Sequence, residues 1–227
     1  MTYAIVDSFE ALIAAPFSGS VNALCWQRQP KGDFDEVAAQ LRHLEEVTSL
    51  SDDDLRRLMP RLSSNGRAAV ETMIADRAAM EELGLLPSIE CVPSYMRDDD
   101  AIIPTDVYSF HVDRATVKAD TYLCSYNEAA SEGLRREDAV RRTDEPATRA
   151  ALLQAFIAER EPDFETWLRE RCYDLHYSPR PGATPYSFGI GNLWRIAVDY
   201  PGSQVAPCIH RAPDTHPNRP PRLLLIS

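Results

Sequence analysis

The pattern of apolar positions changes along the chain near Gly84. From Asp33 to about Gly84 it is helical. Behind a capping Asp33, "DFDEVAAQLRHLEEV" sets Phe34, Val37, Leu41 and Leu44 on one side. "SDDDLRRLMPRL" reads as a short helix with acids in its first turn, interrupted near Pro60. "SSNGRAAVETMIADRAAMEELG" aligns Val70, Met73, Ile74, Met80 and Leu83, and Gly84 supplies a helix stop. A helical layer over residues 33–84 is therefore expected, its charged faces in solvent.

On either side of this layer the apolar runs are short. In "SVNALCWQRQ", Val21, Ala23 and Cys25 alternate with Asn22, Leu24 and Trp26, which predicts an edge strand. Beyond Gly84 come "LPSIECVPSYM" and then "DVYSFHVDRATVKADTYLCSYN", the latter one bent strand or two. Strand-like runs return as "CYDLHYSP", "YSFGIG", "LWRIAVDY", "APCIHRA" and "RLLLIS", punctuated by "PRPGATP", "YPGS" and "PNRPP". Between the two sets, residues 128–170 are charged and contain helical segments, either an insertion or a lid. The expected fold is α+β with a mainly β core: a sandwich or open barrel with helices packed outside. It is read as a single domain over residues 1–227, with a helical layer at 33–84 and a core at 85–227 that carries the insertion 128–170.

Composition narrows the partners. The 227 residues carry a formal net charge of −11, which disfavours nucleic acid, because neutralising phosphates needs clustered Lys and Arg. No apolar run approaches the length of a transmembrane helix, and the N-terminal stretch, with Asp7 and Glu10, lacks the basic region of a signal peptide. Five scattered cysteines without a CxxC pair argue against a zinc knuckle or a disulfide framework. The expectation is a cytoplasmic protein with buried free thiols, no membrane or nucleic-acid partner, and a small-molecule substrate rather than a polypeptide. Oligomeric state is not legible.

The candidate chemistry starts at "FHVD". On a strand His111 and Asp113 point to one face. Of the five histidines, His43 lies in a charged helix and reads as a surface residue, and His176 in "DLHYSP" as a satisfied core or turn residue. His111, His210 and His216 remain near strand ends, with His216 an alternative to His210. Two histidines and a carboxylate on one face of a metal are the ligand set of non-haem Fe(II) oxygenases, which keep coordination positions open for cosubstrate and O2.

His111-Val112-Asp113, the distal His210 and an arginine at Arg222 or Arg219 together resemble the Fe(II)/2-oxoglutarate-dependent dioxygenase superfamily. "GIGNLWRI" looks like that superfamily's turn ahead of the distal histidine. "FHVDRATVKADTYLCSYNEAASEGL", "HRAP", the terminal "RLLLIS" and Trp26-Gln27-Arg28 are similar to an uncharacterised bacterial family within it. The resemblance covers residues 20–30 and 85–227. It implies a double-stranded β-helix (a cupin-like jelly roll), metal ligands His111, Asp113 and His210, Fe(II) and O2, and 2-oxoglutarate as cosubstrate. Arg222 begins a strand with Leu224 and Ile226 on its face, so it is preferred over Arg219 for the distal carboxylate. Tyr122 and Lys118 are further candidates for cosubstrate contact, and Arg211, next to a ligand, should face away. Tyr108 and Asn127 are secondary candidates. Two other readings stay open: a cupin-type metal protein, isomerase or sensor, without 2-oxoglutarate chemistry, and a non-catalytic module that docks a partner on residues 33–84.

Overall fold

Short strands from both halves of the chain assemble into two sheets, and the helices pack outside them. The computed structural model describes residues 2–215 and 219–227. A seven-stranded sheet runs in the order β1 (Tyr3–Val6), β2 (Ala23–Trp26), β11 (Leu193–Ala197), β6 (Asp120–Ser125), β13 (Arg222–Ile226), β4 (Ser88–Val92), β3 (Thr48–Ser49). A six-stranded sheet runs β10 (Tyr186–Ser187), β7 (Glu132–Leu134), β12 (Ile209–Arg211), β5 (Phe110–His111), β9 (His176–Pro179), β8 (Ala139–Arg141). All of these pairings are antiparallel except β1 with β2, and the strands curl into a half-barrel. Among the described residues, no helix is long and apolar enough to cross a membrane.

The helical layer forms where the periodicity places it: α2 (Phe34–Gln40), α3 (Asp52–Leu58) and α4 (Ser64–Glu81), after a short α1 (Phe9–Ala14). The Asp33 carboxylate accepts from the Glu36 amide and caps α2. Pro60 lies in the 3-10 turn that follows α3, where its missing N–H costs nothing. Gly84 takes the left-handed φ of +75° that ends the α4 region. The α2 segment is shorter than the pattern predicted. It stops at Gln40, with Leu41 as its C-cap, and residues 48–49 pair with β4.

Strand parity divides the seven-stranded sheet into two unlike faces. Leu24, Tyr122, Cys124, Leu193, Leu223 and Leu225 face outward and pack on Leu12, Phe34, Val37, Val70 and Met73 of the helices. Ala23, Cys25, Leu123, Trp194, Ile196 and Leu224 face inward and meet Phe188 and Cys208 from the second sheet's side. Both faces of β2 are thus covered. It is an inner strand between β1 and β11, not the edge that its alternation predicted. The edge is β1, whose run is too short to announce itself.

Residues 128–170 are only partly a helical insertion. Glu132–Leu134 and Ala139–Arg141 are strands of the six-stranded sheet; α5 (Pro146–Glu159) and α6 (Phe164–Glu170) follow and pack Leu152, Trp167 and Leu168 on Ile103. Three-residue strands set among charges carry no readable alternation. The "FHVD…SYN" stretch is two strands, β5 and β6, in different sheets.

Candidate metal centre

The register of the six-stranded sheet puts three histidines side by side. His210 of β12 is paired with His111 of β5, and His111 with His176 of β9. Paired residues point to the same face, so the imidazoles form a row. Beyond His210 in the same row is Gly133 of β7. A Cβ there would sit 2.2 Å from the Tyr186 ring, so only glycine fits.

Asp113, two residues past His111, completes a cluster. One ligand atom each from His111, Asp113 and His210 lies within 4.8 Å of the others. The Asp113 Oδ1 is 3.9 Å from His111 Nε2 and 3.8 Å from His210 Nε2. The other atoms of these groups are tied back. His111 Nδ1 donates to the Ser109 carbonyl at 2.8 Å and His210 Nδ1 to the Cys208 carbonyl at 3.3 Å. Those bonds fix the proton on Nδ1 and leave both Nε2 lone pairs aimed at Asp113. Thr121 of β6 donates its hydroxyl to Asp113 Oδ2 at 2.6 Å, which holds the carboxylate from the facing sheet.

The electrostatics suit a cation. Burial first, and His210 second, hold His111 below its ordinary value, against the Ser109 carbonyl and Asp113. Burial works to raise Asp113, but His210, the Thr121 hydroxyl and His111 outweigh it and keep the carboxyl low. A neutral imidazole and an ionised carboxylate are the forms that bind metal. Three donors, one of them a carboxylate, fit a divalent ion with coordination positions to spare, and do not fit a closed four-ligand structural zinc site.

The other predicted residues divide. Arg222 is buried on the inner face, its guanidinium donating to Ser125 Oγ at 2.7 Å and to Ser131 Oγ at 2.8 Å, with the Tyr95 phenol as a further neighbour. Among the described residues it meets no carboxylate, and burial pulls its pKa down. Arg219 is exposed and pairs with Glu128 at 3.3 Å, beside a wide polar cleft of about 680 Å³ remote from the histidines. Tyr122 points into the helical layer and Lys118 is exposed in the β5–β6 loop, so neither approaches the centre. The residue of β6 that does is Thr121, one position out of the predicted parity. Arg211 faces away as expected, pairing with Glu132 at 2.6 Å. Tyr108 and Asn127 have structural partners: the Tyr108 hydroxyl receives the Tyr95 amide at 2.9 Å, and Asn127 brackets β13 through Pro221 and Leu223. His216 lies outside the described residues.

Arg28 of the "W-x-R" run is scaffold. Its guanidinium forks onto Asp76 of α4 at 2.6 and 2.5 Å and reaches the Gly191 carbonyl. Thr121, Ser125 and Ser131 are not among the expected site residues, because their contacts with Asp113 and Arg222 arise only in the fold; His176, expected as a core or turn residue, comes beside His111 through the β5–β9 register.

A groove of about 500 Å³ opens at the centre, with His111, Asp113, His176, Leu175, Cys172 and Arg169 among its lining. Arg222 is not in that lining; it borders a separate small cleft formed by Val92, Pro93, Thr215 and Pro220. No family model, curated protein or solved structure matches the chain.

Proposed function

We propose that the protein is an Fe(II)- and 2-oxoglutarate-dependent oxygenase that hydroxylates or otherwise oxidises an organic substrate, on a core of the double-stranded β-helix type. The observation that carries this reading is the convergence of His111, Asp113 and His210 from β5 and β12, with every other atom of the three groups already engaged. Bound there, Fe(II) would supply the redox chemistry that couples oxidative decarboxylation of 2-oxoglutarate to substrate oxidation by O2. His111, Asp113 and His210 would hold the ion, and Thr121 would keep Asp113 monodentate by occupying Oδ2.

Arg222 supports the cosubstrate assignment. A buried guanidinium without a carboxylate is costly, and an incoming carboxylate offsets that cost. Thr121 and Ser125 lie on one face of β6, four residues or about 13 Å apart along a strand. One contacts Asp113 and the other Arg222. The test is turnover without substrate: purified protein given Fe(II) and O2 should convert 2-oxoglutarate slowly to succinate. Retained iron with no succinate and no O2 uptake would instead favour a cupin-type metal protein.

A further inference from the structure

The groove at the metal centre has polar groups that the oxygenase chemistry does not use. It continues past Arg114, Ala115, Thr116 and Arg169 into an extension of about 360 Å³ toward Tyr200 and Pro201. Most charges along it are spent. Arg114 is paired with Asp174 and, at 3.0 Å, with Asp199. The Asp106 carboxylate accepts from the amides of Tyr108, Ser109 and Asp98. Asp113 belongs to the metal cluster.

Of its charged and imidazole groups, two are left. Arg169 of α6 adds to the field at Asp163, but among the described residues no carboxylate pairs with it. His176 is 3% exposed, and its Nδ1 lies 2.9 Å from Ser109 Oγ. The Ser109 hydroxyl proton is directed to the Pro104 carbonyl at 2.9 Å, so Oγ accepts and Nδ1 donates. The Nε2 of His176 is then a bare acceptor, and no described residue bonds to it. Arg169, Cys172, Leu175 and His176 all line the groove, so one short run of chain carries both free groups along its wall.

We infer that this groove binds the substrate, and that the substrate is a small carboxylate bearing a hydroxyl or amino group: Arg169 receives the carboxylate and His176 Nε2 accepts the O–H or N–H. One uncompensated guanidinium matches a single negative charge; a phosphate dianion would need a second cation, and Arg114 is already committed. The acceptor beside His111 would orient the substrate beside the His111–Asp113–His210 cluster. This inference rests on the oxygenase reading only for the word substrate; the groove's preference for an anion stands on its lining.

The test uses Zn(II)-loaded protein, which is inert to O2, and saturation-transfer NMR with short hydroxy- and amino-carboxylates, each beside its primary amide. Measurements are made with and without 2-oxoglutarate. Acids should bind and amides should not, and Arg169→Gln should weaken the acids by about tenfold or more with zinc content unchanged. His176→Phe should erase the advantage of hydroxylated acids over their deoxy counterparts, and His176→Gln, which keeps an acceptor, should restore part of it. Equal binding of amides, no binding by any acid, or indifference to Arg169→Gln overturns the inference. So does a loss of 2-oxoglutarate affinity in Arg169→Gln, since the groove's cation would then hold the cosubstrate. If wild-type protein fails to bind 2-oxoglutarate yet prefers acids through Arg169, the oxygenase reading fails and the groove assignment is supported.

Discussion

Two buried arginines stand on opposite faces of the same sheet, and they have opposite partners. Arg28, on the helical side, forks onto Asp76, and the Tyr126 hydroxyl donates to that carboxylate at 2.7 Å. Burial works against its charge, but Asp76 outweighs burial and the guanidinium is held firmly protonated. Arg222, on the inner side, has serine hydroxyls and a phenol but, among the described residues, no acid bonded to it, and burial lowers its pKa. A charge neutralised within the fold ties elements together. A charge that the fold leaves unneutralised is suited to a ligand. On the inner side Thr121 and Ser125 stand on the same face of the sheet as the apolar Leu123, Trp194 and Leu224.

The largest effect is expected at the centre itself. His111→Ala should abolish metal retention, measured as metal content after dialysis, while leaving the Arg28 side and thermal stability nearly unchanged. Full occupancy in that variant would remove the metal assignment. Asp76→Ala should come next, since it strands Arg28 in a buried site. A loss of about 3–5 kcal/mol in urea unfolding is expected, and a loss below 1 kcal/mol would show that Arg28 is not anchored as described. Arg222→Leu inverts the comparison. It should cost about 2–4 kcal/mol of 2-oxoglutarate affinity by calorimetry, with metal retained and folding stability lowered little or raised. Unchanged affinity would move the role to Arg169 or Arg219.

The smallest effect is a pH dependence. Burial first, then Arg142, lowers His176 from 6.5 to about 4, so it stays neutral in the fold and takes up a proton when unfolded. Between those values the unfolded chain binds more protons, so stability present above pH 6.5 is lost as pH falls toward 4. Burial acts in the same direction on His111. Metal-free protein should lose about 1–3 kcal/mol between pH 7 and 4.5, and His176→Gln should flatten part of that slope. An identical slope in the variant would contradict a buried neutral His176.

The helical layer was legible because its period, its Asp33 cap, the acids that open its second helix and Gly84 are local signals. The His111–Asp113–His210 cluster was legible because residue type, strand parity and the distal histidine together single it out. Tyr122 falls on the helical face because the chain leaves one sheet for the other in the β5–β6 loop, so strand parity does not carry across it. His176 reads as a core histidine, and its Nδ1 is satisfied as one. Its place beside His111 depends on the β5–β9 register, a contact between residues 65 positions apart that no local pattern encodes. Thr121, Ser125 and Ser131 are small and polar, and acquire meaning only from Asp113 and Arg222, which the fold brings to them.

The most direct measurement is anaerobic addition of Fe(II) and then 2-oxoglutarate, followed by visible absorption. A weak metal-to-ligand charge-transfer band is expected in the wild-type protein. It should be absent in His111→Ala, and should require far more cosubstrate in Arg222→Leu. Iron bound by the wild-type protein with no such band at saturating 2-oxoglutarate would contradict the assignment of the His111–Asp113–His210 centre to 2-oxoglutarate chemistry.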